Sequence, residues 1–134
     1  MPDTQIILYK ESDGTVPLLS WLKKLKPSKA ADKCTAVIRE LAKSGYGLRR
    51  PYADTLRDGI HELRTRLGSV NYRILYFSHD RNVVVLTHGL TKEDVVPDSD
   101  INKAIIMKQV YKKNPEAHSY FPDLSVEGSI HEKD

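Results

Sequence analysis

The sequence predicts an α+β domain in which an N-terminal strand and a helical hairpin pack on a mostly antiparallel sheet, followed by a C-terminal helix. Three observations lead there. Residues 15–44 carry two closely joined amphipathic helical patterns, residues 60–90 carry three strand-like runs separated by turn residues, and a capped apolar stripe begins near residue 100. The chain has 134 residues, 40% of them hydrophobic and 29% charged, which fits one domain with a real core. Residues 1–113 read as that domain, and 114–134 as an acidic tail, extended or partly disordered.

The elements follow in order. TQIILYK has no interior glycine or proline and reads as a strand. ESDGTVP is a break, after which Thr15 can cap a helix and Pro17 fits its first turn. Leu18, Leu19, Leu22 and Leu25 with Trp21 make the buried stripe, and Lys23, Lys24 and Lys26 take the wet side. Pro27 stops this helix, and Ser28 can cap a second one running to about Ser44, with Ala31, Cys34, Ile38, Leu41 and Ala42 facing the core. GYGLRRPYADTLRDG reads as loop. IHELRTRL, NYRILYFS and NVVVLTHG are strands, with Gly68-Ser69 and HDRN as turns. PDSD offers a cap for the last helix, on which Ile101, Ala104, Ile105, Lys108 and Tyr111 extend to about Lys113. All the helices are expected on one face of the sheet.

Composition excludes several classes. No apolar run is long enough to cross a bilayer, and MPDTQIILYK lacks the basic-then-apolar layout of a signal peptide. A single cysteine, Cys34, excludes an intramolecular disulfide framework and suits a core position. A cytoplasmic protein is expected. His61, His79, His88, His118 and His131 are scattered with no cysteine pair, so no metal site and no cofactor are expected. There is no P-loop and no G-x-S-x-G, and Arg50 takes the third glycine's place in the one dinucleotide-like stretch, Gly45-Tyr46-Gly47.

Charge is distributed unevenly. The net charge is +3, but residues 45–92 hold eight Lys/Arg against four Asp/Glu, whereas residues 93–134 hold five against nine. With Gly68-Ser69 as the turn, Leu67 faces Val70, Arg66 faces Asn71, Thr65 faces Tyr72 and Arg64 faces Arg73. One sheet face is then Leu63, Thr65, Leu67, Val70, Tyr72, Ile74 and Tyr76, which can pack under helices. The other carries Glu62, Arg64, Arg66, Asn71 and Arg73, then Leu75 and Phe77. Directly opposed like charges cost a few tenths to about 1 kcal/mol, and Glu62, diagonal to Arg73, can offset only part of it. A solvated, screened face is one explanation. An anionic ligand explains the clustering better, and for a cytosolic protein with an arginine-rich loop feeding the same region nucleic-acid phosphate fits best. Arg49 and Arg50 in the preceding loop, with Asn71, are the expected RNA-binding residues.

GIHELRTRLGSVNYRILYF, a strand ending LTHGLTKE, and then P-x-x-x-I-x-x-A resemble the phage-derived HigB-like branch of the RelE/ParE toxin superfamily. The resemblance covers roughly residues 4–112, and its most specific pieces are G-I-x-E-L-R, Y-R-I-L-Y-F and H-G-L-x-K. It implies a RelE/ParE-like fold and a toxin of a type II toxin–antitoxin pair, neutralised by a small helix-turn-helix antitoxin. Such toxins enter the ribosomal A site and cut mRNA without a metal ion, the 2′-hydroxyl attacking the adjacent phosphodiester. Matched residue by residue, the resemblance implies catalytic roles for Arg64, Arg66, Arg73, His88 and Lys92. Arg73 and Arg64 would hold the scissile phosphate, Arg66 and Lys92 would stabilise charge or orient the neighbouring phosphate, and His88 would be the general acid/base, with Glu62 a weaker candidate. His88 also reads as a packed histidine ending a strand, and Tyr72 as core. Relatives often have two lysines where this chain has Lys92-Glu93, and basic residues in place of Asp98 and Ser99. Two other functions remain open: a non-enzymatic toxin blocking a protein such as DNA gyrase, and a non-toxic phage-derived interaction module.

Overall fold

In the computed structural model, which describes residues 4–45, 52–91 and 95–124, the apolar run after Gln5 forms a strand, β1 (Gln5–Tyr9), buried from Ile6 onward. Helix α1 (Pro17–Lys24) begins one residue later than expected. Val16 takes the N-cap position without a side-chain bond, and Thr15 belongs to the preceding turn, its amide donating to Asp13 Oδ1 at 2.9 Å. Helix α2 (Ser28–Ser44) likewise has Pro27 at its N-cap, so Ser28 is the first helical residue and does not cap. Leu18, Leu19 and Leu22 of α1 are buried, as are Ala31, Cys34, Ile38 and Leu41 of α2.

The segment expected as loop contains a short strand, β2 (Ala53–Thr55), which pairs with the next strand. Then come β3 (Ile60–Leu67), β4 (Val70–Asp80) and β5 (Val83–Thr91), the helix α3 (Asp98–Lys113), a 3-10 turn at Pro115–His118, and β6 (Ser119–Tyr120). The six strands form one sheet in the order β2-β3-β4-β5-β1-β6, antiparallel except for the β1–β5 pair. This is the expected α+β class with a mostly antiparallel sheet, consistent with a RelE-like fold.

The β3–β4 register is the one read from the alternation: Leu67 pairs with Val70, Arg66 with Asn71, Thr65 with Tyr72 and Arg64 with Arg73. Gly68 opens the turn at φ 62°, a backbone state glycine reaches without steric cost.

The expectation of helices on one face only is corrected. Leu63, Tyr72, Ile74 and Tyr76 pack with α1 and α2. On the opposite face Ile60, Leu75, Phe77, Val85 and Leu90 pack with Ile101, Ala104, Met107 and Tyr111 of α3. The sheet is therefore covered on both sides, and the physical reason is in β4. Ile74, Leu75, Tyr76 and Phe77 are four successive apolar residues, so both faces of that stretch must leave water. Helix α3 reaches only part of its face, leaving the arginines at the turn end of the hairpin.

The start of the tail packs against the domain. His118 stacks on Tyr9 with ring centroids 5.5 Å apart, its Nδ1 lies 2.7 Å from Lys10 O, and β6 pairs with Leu8 and Tyr9. Tyr111 OH and Ser119 Oγ are 2.8 Å apart, and Arg39 Nε donates to Leu124 O at 3.0 Å. Residues 114–124 thus run as a strap from α3 past the β1 edge to α2. The rest of the expected 114–134 tail, residues 125–134, lies outside the described residues.

Candidate functional site

The turn end of the β3–β4 hairpin assembles Glu62, Arg64, Arg66, Asn71 and Arg73 on one face, because alternation sends every second side chain the same way. The pairing of Arg64 with Arg73 forces two guanidinium groups together, and Glu62 stands between them. Its Oε2 accepts from Arg73 Nη1 at 3.2 Å, and its Oε1 lies 3.5 Å from Arg64 Nε. Glu62 therefore engages both arginines, a larger compensation than its diagonal position alone suggested.

Exposure grades outward. The Arg73 side chain is 8% exposed and that of Glu62 4%, whereas Arg64 keeps 31%. Arg66 is exposed and folds back on the turn, Nε donating to Gly68 O at 2.9 Å. Asn71 is half-buried opposite Arg66. A phosphate arriving from solvent meets Arg64 and Arg66 first, with Arg73 beneath them. This order is not readable from alternation, which assigns a face but no depth.

His88 lies on β5, two residues from Leu90, which pairs with Arg73. It is buried, with Nδ1 3.1 Å from Thr87 Oγ1 and Nε2 3.2 Å from Asp100 Oδ1 in the first turn of α3. The protons do not suffice for every contact at once. Thr87 Oγ1 also donates to Leu75 O, so Nδ1 needs a proton of its own, and the Asp100 carboxylate asks for one on Nε2. Only an imidazolium meets both demands. Burial nonetheless pushes the His88 pKa below its ordinary value, with Lys103 adding to the shift and Asp100 opposing it. In the neutral state one of these contacts goes unmade. Both ring nitrogens face protein partners, and the histidine joins β5 to α3.

Gly89 explains part of the H-G-L piece. A Cβ there would run into the Trp21 indole on the α1 side of the sheet. Tyr72 is buried edge-on to Trp21 with centroids 6.4 Å apart, the core role expected for it. Cys34 is buried with its thiol pKa pushed up to about 12 by desolvation, the state of a packing residue.

Arg49, Arg50 and Lys92, expected as RNA-binding and catalytic residues, lie outside the described residues. Sequence reading missed Asp100 as the partner of His88. It also missed Arg57, which donates to Asn102 Oδ1 at 2.7 Å and pins the β2–β3 connection to α3. A cleft of about 610 Å³ between α2 and β2–β3, lined in part by Lys33, Val37, Tyr52 and Leu67, opens on the helical-hairpin side, away from the arginines. Among the described residues no three His, Cys, Asp or Glu side chains cluster as a metal site would require, and no helix is long and apolar enough to cross a membrane.

No curated protein matches the chain. Residues 20–109 match the family described as Phage derived protein Gp49-like (DUF891), a stretch that runs from within α1 to within α3 and takes in the arginine hairpin and His88-Gly89. Covering well over half the chain, that match places the protein in the phage-derived Gp49-like family.

Proposed function

We propose that the chain is the toxin of a type II toxin–antitoxin pair and acts as an endonuclease that cuts mRNA in the ribosomal A site. The observation that carries this reading is the registered Arg64–Arg73 pair, with Arg66 on the same face and a buried carboxylate holding the pair together. Family membership and the RelE-like fold support it. In the reaction the 2′-oxygen bonds to the adjacent phosphorus and the P–O5′ bond breaks. The products are a cyclic phosphate end and a 5′-hydroxyl end, with one proton leaving the 2′-hydroxyl and one reaching the 5′-oxygen. Charge gathers on the non-bridging oxygens in the transition state, where preorganised guanidinium groups lower the barrier. Arg64 and Arg66 are the phosphate contacts in this reading and Arg73 their support. The neutralising partner is a small helix-turn-helix antitoxin.

Expressing the wild type and Arg64→Ala in translating cells, with transcript 5′ ends mapped, tests the proposal. The wild type is expected to arrest growth and create new ends, and Arg64→Ala to cut on the order of 100-fold less. Unaltered maps and normal growth under wild-type expression would sink it.

A second reading draws on the burial of His88 and the engagement of both its nitrogens, which suit structure better than proton transfer. It is a non-enzymatic toxin that blocks a protein such as DNA gyrase. Altered DNA topology with intact transcripts selects it.

A further inference from the structure

We propose that Glu62 is a positioning residue that holds Arg64 and Arg73 at fixed separation and orientation, so that an RNA phosphate meets a preorganised pair. The inference rests on the endonuclease reading above and assigns Glu62 a role other than proton transfer. Its carboxylate is divided between the two guanidinium groups, one oxygen toward each: a hydrogen bond of 3.2 Å from Arg73 Nη1 and an ion-pair contact of 3.5 Å to Arg64 Nε, which makes no hydrogen bond. It is 3% exposed, and a carboxylate so enclosed is tolerable only when its oxygens are paired. A proton-transfer group must reach the 2′-hydroxyl, whereas this one lies beneath the surface and is committed to the buried Arg73 and the half-buried Arg64.

The strands fix the geometry. Glu62 precedes Arg64 by two residues on β3 and so shares its face, while Arg73 is brought in diagonally from β4. The three side chains together carry one net positive charge, equal and opposite to one phosphodiester. Extra attraction for the ground state is therefore limited, and the arrangement favours placement over raw affinity. This gives binding and cleavage opposite responses when the carboxylate charge is removed.

The test compares wild type, Glu62→Gln and Glu62→Asp, each first checked for folding by thermal unfolding. RNA binding is read with a short single-stranded RNA oligonucleotide, cleavage as single-turnover rates on ribosomes programmed with mRNA, and side-chain order from the Nε–H signal of Arg64 and the Nη signals of Arg73, the atoms that face Glu62, in NMR spectra. Glu62→Gln is expected to bind the oligonucleotide a few-fold more tightly at low salt, because one negative charge is gone. It is expected to cleave about tenfold or more slowly, with a pH–rate profile of unchanged shape. Its Arg64 signal should average with solvent. Glu62→Asp, which keeps the charge but shortens the reach, should bind as the wild type does and cleave more slowly, and it carries the test if Glu62→Gln does not fold. Wild-type cleavage rates in whichever variant folds overturn the proposal, and so does loss of one limb of the pH profile in Glu62→Gln, which would make Glu62 a proton-transfer group. A wild type that neither binds the oligonucleotide nor cuts mRNA overturns the endonuclease reading instead, and the proposed purpose of the tether with it. The NMR signals report the tether separately.

Discussion

A methyl group on Gly89 has nowhere to go, because the Trp21 indole fills the space above it. Gly89→Ala is expected to destabilise the protein by roughly 1–3 kcal/mol, the usual cost of overpacking. Trp21 is the single tryptophan in the chain, so its fluorescence during urea unfolding reads the effect directly. At this scale the sequence is legible where periodicity speaks and silent where depth decides. Two-residue alternation around Gly68-Ser69 was enough to pair Arg64 with Arg73. It could not show that Arg73 lies beneath Arg64, or that Glu62 divides its oxygens between them, because both depend on how side chains bend after leaving the strand. His88 is a similar case. Its place on β5 was readable, but its partner Asp100 comes from a helix whose side of the sheet was not.

Elements show the same division. Both helices of the hairpin and the three long strands fall where their patterns put them, while the caps of α1 and α2 moved by one residue. The side taken by α3 was missed because a helix's apolar stripe marks which of its own residues are buried and not which sheet face they cover. The available signal lay elsewhere, in the unbroken apolar run Ile74–Phe77 of β4. Strands of two or three residues, such as β6 and β2, are too short to carry any period. The strap that includes β6 covers the outer edge of β1, and an uncovered edge strand invites pairing with another chain. A chain ending at Asn114 is therefore expected to self-associate at concentrations where the full chain does not. Light scattering coupled to size-exclusion chromatography would show it, and an unchanged mass would assign edge protection elsewhere.

For the molecule as a whole, acid sensitivity follows from two histidines, the half-buried His61 and the buried His88. Burial lowers the pKa of His61, helped by Lys108, and burial lowers that of His88, helped by Lys103. Below the ordinary histidine value of about 6.5 the unfolded chain takes up protons more readily than the folded one. The stabilisation tied to the neutral rings is thus present above about pH 6.5 and is lost as pH falls through the lowered folded-state values. Unfolding midpoints at pH 7.5 and 5.5 should differ, and His88→Gln should shrink that difference. An equal difference in the variant would remove His88 as a contributor.

The strand order has one more consequence, for how the protein can vary. Between β3, which bears Glu62 and Arg64, and β6, which seals the far edge, lie four inter-strand steps, roughly 19 Å at the usual spacing. Substitutions separated by more than about 10 Å generally add without coupling. The strap end can therefore be tightened, loosened or redesigned as an independent stability dial, leaving the arginine hairpin toward the opposite margin untouched.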